Sequence, residues 1–229
     1  VIFAIDHFVL SAAPAEGPGI LASLREAGFV PNNFVLSFDD VAAQSESLSY
    51  DGGGMVEVLH SRDEQKASPT WFAEVPRIIG MGFASDDFLS DTAWGGDMEE
   101  GHWTMDEELP LPDGSPLHIV AAGPHRHVSE FYVFVMDRPA GKLQFPDVPA
   151  APKLVSVTIS GSDAGLWHDR LRRWLHRSDE PVLRVGDVDL RFERTQQPGV
   201  RATPAFAVPA GAGRIPLNRS SIEFISSSR

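Results

Sequence analysis

Cysteine is absent from this 229-residue chain. Disulfides, thiolate metal ligands and cysteine nucleophiles are thereby excluded, and the absence is compatible with a reducing compartment, so a cytoplasmic location is the expectation. Positive charge is scarce: 19 Lys and Arg face 32 Asp and Glu, a formal net charge of −13. A field of that sign repels nucleic acid and anionic membrane surfaces, and neither is expected as a partner. No apolar run approaches the roughly 20 residues of a membrane helix. No basic segment followed by an apolar one opens the chain, so no signal peptide is expected. Walker loops, G-x-G-x-x-G, H-E-x-x-H and G-x-S-x-G are missing as well, which leaves nucleotide-binding and hydrolase readings without support.

What is present is a repeated order of short strands and helices. "VIFAIDHFVLSA" reads as a strand, and "AEGPGILASLREAGF" as a helix over about 18–27 with Pro18 near its start and Gly28 at its C-terminal cap. "NNFVLSFDD", "ESLSYD" and "MVEVLHS" read as three strands, the last two joined through "DGGG", a hairpin signal. A second pass begins at "RIIGMGFAS", with a short helix near 86–94 and strands in "HWTMDEELPL", "SPLHIVAAG" and "EFYVFVMD". A proline-rich connector over residues 138–153 follows. The third pass opens with "KLVSVTISG", then an amphipathic helix over about 163–176 whose apolar stripe is Leu166, Trp167, Leu171, Trp174 and Leu175. Strands in "VLRVGDVDLRFER", "VRATPAFAV" and "SSIEFIS" complete it. The expected fold class is therefore α+β, built from repeated βαβββ units. Residues 1–137 form a domain of two units, 138–153 connect, and 154–229 form a third unit packed on the barrel or completing it.

The opening strand "IDHFVL", the helix "ILASLREAGF", the glutamate-bearing strand "GGGMVEVLH" and the late apolar strand "EFYVFVMD" resemble the vicinal oxygen chelate superfamily. More narrowly, they resemble its glyoxalase-like domain group, beside glyoxalase I, bleomycin-resistance proteins and extradiol dioxygenases. That resemblance implies paired βαβββ units curved into mixed sheets around a half-open barrel cavity. It also implies one divalent ion (Zn, Mn, Fe, Ni or Mg), held by His, Glu or Gln from the first and fourth strands of each unit. A small-molecule ligand or substrate is the implied partner, and a homodimer is compatible with it.

Two residues carry the chemistry in the first unit. His7 shares a strand face with Ile5 and Val9, and Glu57 with Met55 and Leu59. A carboxylate among such neighbours has to be paired, hydrogen-bonded or metal-bound. Aligning strand starts sets Met81 of the second unit opposite His7, and Ser156 and Glu223 of the third opposite His7 and Glu57. The candidate metal set is His7, Glu57 and Glu223, with Glu57 and Glu223 as the groups able to move a proton. His118, Trp103 and Ser156 are the candidate substrate contacts. Two functions stay open. One is a metal-assisted lyase, isomerase or dioxygenase acting on a small oxygenated molecule. The other is a non-catalytic drug- or metabolite-binding protein of the bleomycin-resistance type, its ligand stacked on Trp71, Trp94 or Trp103.

Overall fold

The computed structural model describes residues 1–38, 43–61, 75–92, 102–111, 114, 116–124, 131–138, 142–143, 145, 147–175, 182–209, 213–218 and 220–227. The first unit is β1 (Ile2–Ala12), α1 (Gly17–Glu26), β2 (Val30–Phe38), β3 (Ala43–Ser49) and β4 (Met55–Ser61). The second is β5 (Arg77–Ser85), the short α2 (Phe88–Thr92), β6 (His102–Pro110), β7 (Pro116–Pro124) and β8 (Tyr132–Asp137). Their eight strands make one mixed sheet in the order β2-β3-β4-β1-β5-β8-β7-β6. β1 and β5 lie antiparallel at its centre, and each is parallel to the last strand of its own unit. The strongly curled sheet is the expected α+β half-barrel.

Its helices form where the sequence patterns place them. Pro18 sits in the first turn of α1, where its missing N–H costs nothing. Ile20, Leu21 and Leu24 turn one buried stripe to the sheet. Gly28, at φ 98°, closes the helix because only glycine takes that conformation freely.

The rest of the chain makes a second, six-stranded sheet. It comprises β9 (Lys153–Gly161), α3 (Ala164–Trp174), β10 (Leu183–Val185), β11 (Val188–Arg194), β12 (Arg201–Val208), β13 (Gly213–Leu217) and β14 (Ser220–Ser226). The order β10-β11-β9-β12-β14-β13 differs from one further βαβββ unit. β9, α3, β10 and β11 are a unit lacking one strand. β12, β13 and β14 are a second unit lacking a strand and the helix, with β12 antiparallel to β9 and parallel to β14. The cause is chain length: only residues 195–200 separate β11 from β12, too few for a packed helix.

One apolar core joins the two sheets. Phe8, Phe29 and Tyr50 of the first unit surround Phe206 of β12, with ring centroids 6.5, 4.9 and 5.3 Å away. Trp167 and Trp174 of α3 meet edge to face at 6.5 Å, and Trp167 also meets Phe131 beside β8 at 5.9 Å. Leu166 departs from the expected stripe. It is 47% exposed, one position outside the arc that faces the sheets. A smaller apolar cluster, with Val9, Leu59, Ile79, Phe134 and Met136, lies on the opposite face of the eight-stranded sheet. That concave face holds the site. Among the described residues no helix is long and apolar enough to cross a membrane.

Candidate functional site

In a regular strand Asp6 and His7 would point to opposite faces and never meet. A register shift prevents this. Ile5 pairs with Phe83 and His7 with Gly82, so Asp6 is an extra residue in β1, a β-bulge that re-aims its neighbours. The Asp6 carboxylate thereby comes 3.0 Å from His7 Nδ1. On its other side Arg138 binds it bidentately, Nε donating to Oδ2 at 2.7 Å and Nη2 to Oδ1 at 2.9 Å. All three residues are buried. Burial alone would raise the pKa of Asp6, but the hydrogen bonds from His7 and Arg138 outweigh it and hold the group at about 2.

An ionised carboxylate only accepts hydrogen bonds, so His7 donates from Nδ1 and its Nε2 carries the lone pair of the neutral ring. Nε2 points into the concavity, 3.8 Å from Glu57 Oε2. Glu57 reaches the same space from β4, next to Val9 in the parallel ladder. Its other oxygen accepts a hydrogen bond from Ser45 Oγ at 2.5 Å. A single donor atom can lie within hydrogen-bond reach of both His7 Nε2 and Glu57 Oε2.

The cavity these groups face has a volume of about 140 Å³. Its walls are Val9, Leu59, Met55 and Ser47 on the first unit, and Trp103, Met105, Glu107, Ile119, Ala121, Tyr132, Phe134 and Met136 on the second, with Phe145 contributed by the connector. On the second unit two glycines create the floor. The Tyr132 and Phe134 rings stack at 5.4 Å, 26° apart, and lie across Gly80 and Gly82. A Cβ at Gly80 would fall 2.6 Å from the Tyr132 ring, and one at Gly82 2.7 Å from Phe134 and 3.2 Å from His7.

The comparisons agree with this architecture. No protein-family model and no curated protein matches the chain. Solved structures do. A hypothetical protein from Staphylococcus aureus aligns over 99% of this chain and 100% of its own, with a TM-score of 0.66 at 8% identity. A triple mutant of 4-hydroxymandelate synthase from Streptomyces coelicolor aligns over 90% of this chain and 71% of its own, with a TM-score of 0.57 at 16% identity. A xylose isomerase-like TIM barrel/4-hydroxyphenylpyruvate dioxygenase fusion protein aligns over 91% of this chain and 37% of its own, with a TM-score of 0.57 at 10% identity. The synthase and the dioxygenase are vicinal oxygen chelate proteins. This chain has the vicinal oxygen chelate fold.

Within that fold, two bulges define which positions of the paired units correspond. Asp6 is the extra residue in β1, and Ile79 is the extra residue in β5, between Gly80 opposite Val9 and Ile78 opposite Leu10. His7 thus corresponds to Gly80. Glu57, beside Val9, corresponds to Phe134, beside Gly82. Met81, set in the place of His7 by alignment of strand starts, lies one position beyond it: it corresponds to Phe8, pairs with it and is fully buried.

The donor set follows. His7 and Glu57 supply one nitrogen and one carboxylate, while their counterparts Gly80 and Phe134 supply none. Among the described residues no three His, Asp or Glu converge on one point. A protein-held divalent ion of the catalytic kind takes about three protein ligands, so these residues do not fit one.

The other expected site residues are dispersed. Trp103 lines the cavity, its indole nitrogen buried without a hydrogen-bond partner. His118 lies on the opposite face of β7 from Ile119 and Ala121 and binds Asp106 Oδ1 at 2.7 Å in the open. Ser156 and Glu223 stand on the second sheet, in a cross-strand row running Asp189, Ser156, Ala205, Glu223, Arg214. That row is separated from His7 by the core between the sheets, so Glu223 does not join His7 and Glu57. Trp71 and Trp94 lie outside the described residues. Sequence reasoning missed Asp6, Arg138, Ser45, Tyr132 and Phe134. The one signal on view was an arginine directly after the apolar strand "EFYVFVMD".

The His118–Asp106 pair gives a small, clean prediction. The hydrogen bond that His118 donates to Asp106 raises the pKa of His118 above its ordinary value. In an NMR titration His118 should therefore change charge above about pH 6.5, and Asp106→Asn should move the midpoint down.

Proposed function

We propose that the concave face binds a small oxygenated molecule and that His7 and Glu57 exchange a proton with it, as in a lyase or isomerase. The observation that carries this reading is the bulge at Asp6, which turns the imidazole Nε2 of His7 into an apolar cavity beside a carboxylate. Both groups are positioned bases. In such a reaction His7 Nε2 takes a proton from a carbon next to a carbonyl, and the C–H electron pair passes to the carbonyl oxygen as an enolate. The ionised Asp6 stabilises the imidazolium that forms, and the imidazolium returns a proton to the enolate. Glu57, fixed by Ser45, accepts a hydrogen bond from the hydroxyl of the same molecule. The surrounding side chains exclude water, which strengthens each of these interactions. The cavity compares with the roughly 150 Å³ that holds one benzene ring, so the reacting molecule is small.

The test is deuterium exchange. Hydroxyacetone or 2-hydroxyacetophenone in D2O should lose its carbon-bound hydrogens next to the carbonyl faster with the protein than without. His7→Ala and Glu57→Gln should each reduce the protein-dependent rate by about 10²-fold or more. Binding without exchange would favour the second reading, a non-catalytic binding protein, which the stacked Tyr132 and Phe134 rings support.

A further inference from the structure

The geometry points to a single planar ring carrying an N–H donor group, neutral or cationic, as the ligand class of this cavity. This rests on the reading of the concave face as a small-molecule site and goes beyond it by naming what enters.

The two polar atoms that face one another across the cavity are both acceptors. His7 Nδ1 is committed to Asp6 at 3.0 Å, which leaves Nε2 to accept in the neutral ring. Glu57 Oε1 is committed to Ser45, which leaves Oε2 to accept. They stand 3.8 Å apart, too far to bond each other and close enough for one amino group to give a hydrogen to each. The two acceptors therefore select a ligand that donates twice from one atom, which an amine does and a carboxylate or ether does not.

Charge acts in the same direction. Glu57 and Glu107 line the cavity, and no Lys or Arg is among its described lining residues. A carboxylate or phosphate would meet like charge with no counter-ion and only neutral donors such as the Trp103 indole N–H, inside a chain of net charge −13. The body of the ligand is set by the floor. Tyr132 and Phe134 stack across two glycines, and the Trp103 ring lies 6.1 Å from Phe134. Those faces favour an aromatic ring, and their negative quadrupoles favour a cation near them.

Four probes of similar size separate these contributions: benzylamine, benzyl alcohol, toluene and benzoate. Each is titrated into the protein by calorimetry or protein-observed NMR, with a chelator present and the pH above the ordinary histidine range. Benzylamine should bind most tightly, benzyl alcohol and toluene more weakly, and benzoate not measurably. Glu57→Gln, which keeps the side chain's size, should weaken benzylamine about tenfold or more, the order of a lost charged hydrogen bond. The same variant should leave toluene unchanged, which shows the cavity intact. Benzoate binding as tightly as benzylamine, or benzylamine binding no better than toluene, would overturn the ligand class while leaving a small-molecule cavity. If none of the four binds, the cavity is not a small-molecule site and both readings fall.

Discussion

Asp6→Asn is expected to cost about 3–5 kcal/mol of stability, the range for removing one partner of a buried ion pair. The substitution keeps the side chain's shape, so the loss does not come from packing. It comes from the loss of the carboxylate charge that Arg138 binds at 2.7 and 2.9 Å in a buried setting. Urea unfolding of wild type and variant measures it directly. The double change Asp6→Leu with Arg138→Met should cost far less, because no uncompensated charge remains. Acid gives an independent route to the part of that cost carried by the carboxylate charge. Asp6 titrates at about 2 in the folded chain against 3.8 in its absence. The unfolded chain therefore binds more protons between those values. The stabilisation is fully present above about pH 4 and is lost as pH falls towards about 2, a contribution of about 2 kcal/mol. In Asp6→Asn that acid-dependent loss should be missing from the stability curve.

The second large effect lies in the core between the sheets. Trp174 is 5% exposed, packs edge to face on Trp167, and sits two helical turns from it on the buried arc of α3. Trp174→Ala is expected to cost about 3–5 kcal/mol, the range for truncating a buried aromatic side chain. The urea midpoint should fall with the slope unchanged. A midpoint close to wild type would mean that this face of α3 is not part of the shared core.

These two sites differ in how readable they were. Trp167, Leu171 and Trp174 announce themselves through spacing, because a helix repeats its buried face every three or four residues whatever it packs against. The strands around Glu57 and Met81 are legible for the same kind of reason. A bulge has no such signature. Nothing in "AIDHF" marks Asp6 as the extra residue, and one residue of slip exchanges the two faces of a strand. That slip set Met81 rather than Gly80 in the place of His7, and it hid the Asp6–His7 contact. The partner of Asp6 was hidden by distance, since Arg138 is 132 residues away. Glu223 was aligned with Glu57 on the assumption that the third pass has four strands and a helix in the usual order. The split into two shortened units places it on β14 of the other sheet, beside Arg214.

Everything proposed for the cavity depends on His7 presenting an unprotonated Nε2 to Glu57, and long-range proton–nitrogen NMR reads this directly. In mildly alkaline buffer the spectrum should show His7 protonated at Nδ1 alone. The Nε2 resonance should shift when benzylamine is added, and Asp6→Asn should abolish the preference for that tautomer. A His7 protonated at Nε2 in the wild-type chain, or an Nε2 resonance indifferent to every cavity ligand, would contradict the account.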